Sequence, residues 1–169
     1  MDIFEFAMQM EKDGQTFYEK QAAATRDKEL KKILLALAEE EQQHYKYFQR
    51  LSQGETDLPV SEMRGNLNTL NKVKNIFHEM SQSPSQTAFG DDERSIWQQA
   101  LKIEEKAEKF YREKAEVETD KAKKQMLNLI ADEEQRHIHM IDGVLSYLKF
   151  PDDFAQSAQF RNFQSLEGH

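Results

Sequence analysis

Four segments of the chain place apolar residues at alternating three- and four-residue steps, and each stripe is interrupted by acidic or imidazole side chains. In one segment the stripe reads Leu34, Leu37, Glu41, His44, Phe48, Leu51; in another it reads Leu127, Ile130, Glu134, His137, Ile141, Val144. The other two read Phe4, Ala7, Glu11, Gly14, Tyr18 and Trp97, Ala100, Glu104, Ala107, Tyr111. This spacing marks the core-facing seam of a packed helix. It predicts helices over about 2–25, 28–53, 91–118 and 120–148, with Asp27 and Asp120 capping or opening the second and fourth and Asp91 and Asp92 opening the third. A solvated charged stripe would not sit between apolar neighbours on the seam. Because an unpaired buried carboxylate costs several kcal/mol or takes up a proton, four of them in one core call for cations.

The four seams form a repeat. Residues 11–44 align without a gap onto residues 104–137, with 13 of 34 positions identical. Glu11 matches Glu104, Tyr18 matches Tyr111, and Ala38 to His44 matches Ala131 to His137. Each half offers one Glu followed by a Glu-x-x-His, whose i and i+3 members point the same way. A turn near Arg26 lies equally far from Glu11 and Glu41, and a turn near Thr119 equally far from Glu104 and Glu134. At about 1.5 Å per residue, both carboxylates of a hairpin stand roughly 22 Å from its turn, side by side. The candidate metal ligands are therefore Glu11, Glu41, His44, Glu104, Glu134 and His137. Glu41 and Glu134 are expected to contribute to both halves of the centre, although the spacing permits either Glu41/Glu104 or Glu41/Glu134 as the bridging pair. Glu40 and Glu133 also precede a His, at four residues, and fit the seam less well. Tyr18 and Tyr111, two turns from Glu11 and Glu104, are candidates to hydrogen-bond ligand carboxylates; the alternative is a core tyrosine with a satisfied hydroxyl.

Gly54 to Gly90 is too long for a simple turn between adjacent helices. It contains Pro59, Gly65, the 81–85 loop and an amphipathic piece built on Leu67, Leu70, Val73, Ile76 or Phe77, and Met80. The expected architecture is all-α, with two hairpins (2–53 and 91–148) joined by a long crossover (54–90) within one domain over 1–164. A tail over 149–164, carrying Phe154, Phe160 and Phe163, is expected to dock on the bundle or a neighbouring subunit. Residues 165–169 are read as a disordered end or tag remnant.

Composition narrows the function classes. The 169 residues are 32% charged and 38% hydrophobic, with few Gly and Pro, which suits a helical domain with solvated outer faces. The net charge of -8, without a basic face, argues against nucleic acid as a partner. The absence of cysteine removes disulfides, thiol catalysis and iron–sulfur clusters within the chain. No run of apolar residues is long enough to span a membrane, and the N-terminal residues lack a signal-peptide pattern, so a cytoplasmic location is expected. Four carboxylates with two divalent ions sum to zero charge. Imidazole beside carboxylate favours iron, manganese or zinc over magnesium or calcium, and iron and manganese offer two-electron chemistry. His78 and His139 lie outside the pattern and are read as solvated or structural.

Over residues 2–148 the chain resembles the rubrerythrin branch of the ferritin-like superfamily. The resemblance is carried by Glu11 with Tyr18, Glu41-x-x-His44, Glu104, and Glu134-x-x-His137. It implies a ferritin-like four-helix bundle, a non-haem centre of two iron ions per chain (manganese or zinc as substitutes), reaction with hydrogen peroxide or oxygen, and a homodimer. Two departures matter. Rubrerythrins proper carry a rubredoxin domain with four cysteines, which this chain lacks, so electrons must come from an external donor such as a rubredoxin. They also place an extra, exchangeable Glu three residues after the third-helix ligand. Here that position is Ala107, with Glu108 one residue on as a substitute.

The leading expectation is thus a peroxidase-type oxidoreductase. A ferroxidase or iron-storage unit of ferritin type and a di-iron oxygenase are the alternatives, with a manganese catalase as a further variant. The small residues Gly14 and Ala107 are where an oxygenase would find room for an organic substrate.

Overall fold

The computed structural model describes residues 2–55, 57, 74–76, 78, 79 and 91–149. The described helices are α1 (Ile3–Ala24), α2 (Lys28–Ser52), α3 (Asp91–Val117) and α4 (Lys121–Lys149), within a residue or two of the predicted bounds. Their ends have local causes. The Asp2 carboxylate accepts from the Phe4 N–H at 2.6 Å, and Glu5 reaches back to the Asp2 N–H, forming a capping box. Asp27 accepts from the Glu29 and Leu30 N–H groups at 2.9 and 3.0 Å. Asp120 does the same for Lys123 at 3.0 Å. These contacts satisfy donors that a helix start otherwise leaves unpaired. α2 stops at Gly54, whose φ of +87° lies in the left-handed region that glycine adopts without strain.

α1 packs along α2 and α3 along α4; across the hairpins, α1 meets α3 and α2 meets α4. The hairpins run in opposite senses. Tyr18 reaches Glu104 while Tyr111 reaches Glu11, so α1 and α3 are antiparallel. Likewise His44 reaches Glu134 while His137 faces Glu41, so α2 and α4 are antiparallel. α2 and α3 are therefore parallel, so the end of α2 and the start of α3 lie at opposite ends of the bundle. Of the amphipathic piece expected there, Ile76 is buried in the core; Leu67, Leu70, Val73, Phe77 and Met80 lie outside the described residues, as do Phe154, Phe160 and Phe163 of the tail.

The core is layered. One apolar cluster holds Tyr18, Leu30, Ile33, Leu34, Leu37, Trp97, Ala100, Ile141 and Val144 at the end where α1 turns into α2. A second holds Phe4, Ala7, Phe48, Leu51, Tyr111, Leu127 and Ile130 at the end where α3 turns into α4. The polar seam residues of all four helices lie between them, so both routes along the bundle axis are closed by packed side chains.

The capping contact at the first turn yields a stability prediction. Asp27→Ala should lower unfolding free energy by about 1 kcal/mol, the usual cost of an acidic N-cap. Urea denaturation checks it, and an unchanged midpoint would mean that the cap contributes nothing.

Candidate metal centre

The middle layer brings together all six of the predicted ligands. Glu11, Glu41, His44 and Glu134 each place a ligand atom within 4.8 Å of the others, and so do Glu41, Glu104, Glu134 and His137. All six side chains are buried. Glu41 and Glu134 belong to both groups, whereas Glu11 and His44 belong to one and Glu104 and His137 to the other. Of the two bridging pairs the sequence permits, the geometry gives the shared position to Glu41 and Glu134.

The two halves mirror each other in detail. His44 turns Nδ1 inward, 2.9 Å from Glu134 Oε1 and 3.5 Å from Glu11 Oε2. His137 turns Nδ1 inward too, 3.3 Å from both Glu41 and Glu104 and 3.4 Å from Glu134. The imidazole rings lie nearly parallel, with centroids 5.6 Å apart. Tyr18 donates its hydroxyl to Glu104 Oε1, and Tyr111 donates to Glu11 Oε1, both at 2.5 Å. Each tyrosine thus serves the opposite hairpin rather than the glutamate seven residues before it. Burial, followed by the neighbouring glutamate charges, pushes both phenols well above their ordinary pKa, so they stay protonated and donate.

Several atoms facing this layer make no hydrogen bond. They are Glu11 Oε2, Glu41 Oε1, Glu104 Oε2, Glu134 Oε2 and His137 Nδ1, all buried. Buried polar atoms are ordinarily paired, and leaving one unpaired is costly. Here the unpaired atoms are carboxylate oxygens and an imidazole nitrogen converging on shared space, a donor set that suits two divalent transition ions.

Without metal, the layer balances its own charge. Burial pushes Glu11 up, but the His44 charge, with the close approach of His44 and Glu41 and the hydrogen bond from Tyr111, outweighs it and leaves its pKa low. Burial likewise opposes ionisation of Glu104, yet His137 and its hydrogen-bond partners bring it down to about 2. Burial and the surrounding carboxylates raise Glu41 and Glu134 well above the ordinary range. Both imidazoles, disfavoured as cations by burial, are nevertheless raised well above 6.5 by the facing glutamates. The shifts thus favour ionised Glu11 and Glu104 facing charged imidazoles, and favour the protonated form of Glu41 and Glu134. Divalent ions bound among these groups would displace such protons.

Sequence reasoning gave less weight to Glu40 and Glu133. Both are buried. Glu40 lies 2.6 Å from His137 Nε2, behind the ring rather than in the central layer. Glu133 is bonded to Arg136. The available signal was the doubled glutamate before each seam position. Glu108, the candidate substitute at the missing-ligand position, is only partly buried and pairs with Arg112 at 3.7 Å. Ala107 stays in the core. The room beside Gly14 is filled from within, because a Cβ there would come 2.7 Å from Glu41 Oε2. Gly14 makes space for the Glu41 side chain. His78 and His139 are exposed, away from the layer.

Two expectations follow from this geometry. Gly14→Ala gains up to about 1 kcal/mol of helix propensity, which offsets part of the cost of displacing buried Glu41, so the metal-free protein should still fold. The substitution should weaken zinc binding by roughly tenfold or more, since Glu41 must move; unchanged affinity in a competition titration would refute that position for Glu41. The second concerns pH. Raised imidazole pKa values stabilise the fold fully below pH 6.5, and this contribution fades as pH climbs through the raised values. The raised carboxyls act in the same direction, because ionising them above their unfolded pKa of 4.5 costs stability. Metal-free protein should therefore melt at a lower temperature at pH 8 than at pH 6, and zinc-loaded protein should gain most at pH 8. Near pH 6, binding of two zinc ions should release protons, measured calorimetrically in buffers of different ionisation enthalpy. Release of none would overturn the charge assignment.

No curated protein and no solved structure matches the chain, but the family model described as Rubrerythrin matches it over residues 2–145. That span takes in all four helices up to the last turn of α4, both Glu-x-x-His seams and the connection between the hairpins, and the chain belongs to the rubrerythrin family.

Proposed function

We propose that this protein is a non-haem di-iron oxidoreductase that reduces hydrogen peroxide with electrons from a separate donor. The observation that carries this reading is the sharing of Glu41 and Glu134 between two otherwise separate ligand groups. That arrangement suits a pair of ions close enough to act together. Glu11 and His44 would complete one position, Glu104 and His137 the other. Two ferrous ions, if bound there, would supply the two electrons that, with two protons, reduce one hydrogen peroxide to two waters.

The chain's own residues shape that chemistry. Apolar clusters above and below the layer keep bulk water from the bundle axis, which strengthens every charge interaction between them. Tyr18 and Tyr111 orient the terminal carboxylates Glu104 and Glu11 and leave the second oxygen of each free. In this reading electrons come from a separate carrier such as a rubredoxin, because these 169 residues hold no cysteine for an iron–sulfur or rubredoxin-type centre.

A ferroxidase is the second reading, and one observation favours it. The position of the family's exchangeable glutamate is the buried Ala107, and Glu108 is engaged by Arg112 outside the layer. Peroxide turnover here must proceed without ligand exchange at that place.

Anaerobic, reduced, iron-loaded protein should react with hydrogen peroxide faster than with oxygen, and faster than free ferrous ion does. Stopped-flow absorbance in the near ultraviolet, with each oxidant in turn, measures this. Preference for oxygen would move the assignment to ferroxidase chemistry, and a peroxide rate equal to that of free ferrous ion would remove the peroxidase reading.

A further inference from the structure

The repeat leaves the inner layer nearly symmetric but not what lies behind the imidazoles. Glu40 on α2 crosses to the ring of His137 on α4, with Oε2 2.6 Å from Nε2. His137 Nδ1 faces Glu41, Glu104 and Glu134. If Nδ1 carries the lone pair for a metal, Nε2 carries the proton and donates it to Glu40. The mirror arrangement would set Glu133 behind His44, and Glu40, His44 and Glu133 do place ligand-type atoms within 4.8 Å of one another. Glu133, however, is bonded to Arg136, three residues along its own helix. The repeat counterpart of Arg136 is Gln43, which carries no charge to hold Glu40 in the same way. Among the atoms of Glu40 and Glu133, none is buried without a partner, so this outer group reads as support for the imidazoles rather than as a third ion site.

We propose that Glu40 is a positioning residue that makes the two metal positions unequal: it holds His137 as the stronger ligand, while Arg136 withdraws Glu133 from the equivalent role behind His44. The position completed by Glu104 and His137 therefore fills first. A carboxylate behind a ligating imidazole fixes the ring and raises its basicity, and losing one typically costs about 10- to 100-fold in metal affinity. The inference rests on reading the inner layer as a two-ion site.

The test is a stepwise zinc titration of the metal-free full-length protein against a chromophoric chelator. Wild type should bind two ions in two resolved steps. Glu40→Gln, which keeps a neutral acceptor in place, should weaken the tighter step by about 10-fold or more and leave the weaker step within about threefold. Glu133→Gln should leave both steps within about threefold. Arg136→Gln, which copies Gln43, should strengthen the weaker step and narrow the gap as Glu133 is released to His44. Circular dichroism melts of the metal-free variants show whether each folds, and the Arg136→Gln gain cannot arise from unfolding. Equal losses in Glu40→Gln and Glu133→Gln, a single unresolved step in wild type, or a gap unchanged by Arg136→Gln would overturn the inference while leaving the two-ion site intact. Failure of wild type to bind two ions would overturn the two-ion reading itself.

Discussion

The structure turns on a single electrostatic constraint: a layer of like-charged carboxylates held out of water must be neutralised. Glu11, Glu41, Glu104 and Glu134 converge with two imidazoles in the middle of a helical bundle. In a medium of low dielectric, such a group cannot remain ionised unless opposite charge sits within it. Burial and neighbouring carboxylates raise Glu41 and Glu134, and the facing glutamates raise both imidazoles, so the metal-free layer favours protons where charge would otherwise accumulate. The same donor set suits two dications, which would displace those protons.

The apolar core is organised around that constraint. Each helix contributes residues to both apolar clusters and a polar residue or two between them. Packing on both sides fixes the carboxylates and excludes water, and it also raises the cost of leaving them unpaired. Tyr18 and Tyr111 show how closely the two demands are joined. Their rings belong to opposite apolar clusters while their hydroxyls reach the carboxylate layer.

Near-symmetry with local departures gives the centre its character. The repeat places the same ligand set on both hairpins, and antiparallel packing brings each half to the other. Gly14 facing Glu41, where the second half has Ala107, and Arg136, where the first half has Gln43, both break the equivalence. Each is a change of a single side chain beside a ligand, where small differences in space and charge act most strongly on a metal.

Much of this was legible in the chain. The three- and four-residue spacing of Leu34, Leu37, Glu41, His44 and Phe48, with its copy 93 residues on, points to helices, seam and candidate ligand set, because a helix puts those positions on one face whatever it packs against. The matched distances from each turn establish that the glutamates of a hairpin stand level. Which residues meet across the hairpins was a different matter. The pairing of Tyr18 with Glu104, the shared position of Glu41 and Glu134, and the placing of Glu40 behind His137 all depend on the two hairpins packing antiparallel. That arrangement buries apolar residues from both hairpins together in each of the two clusters. Spacing within one helix reports only the direction in which a side chain leaves its own axis; the partner it finds is decided by how the helices pack.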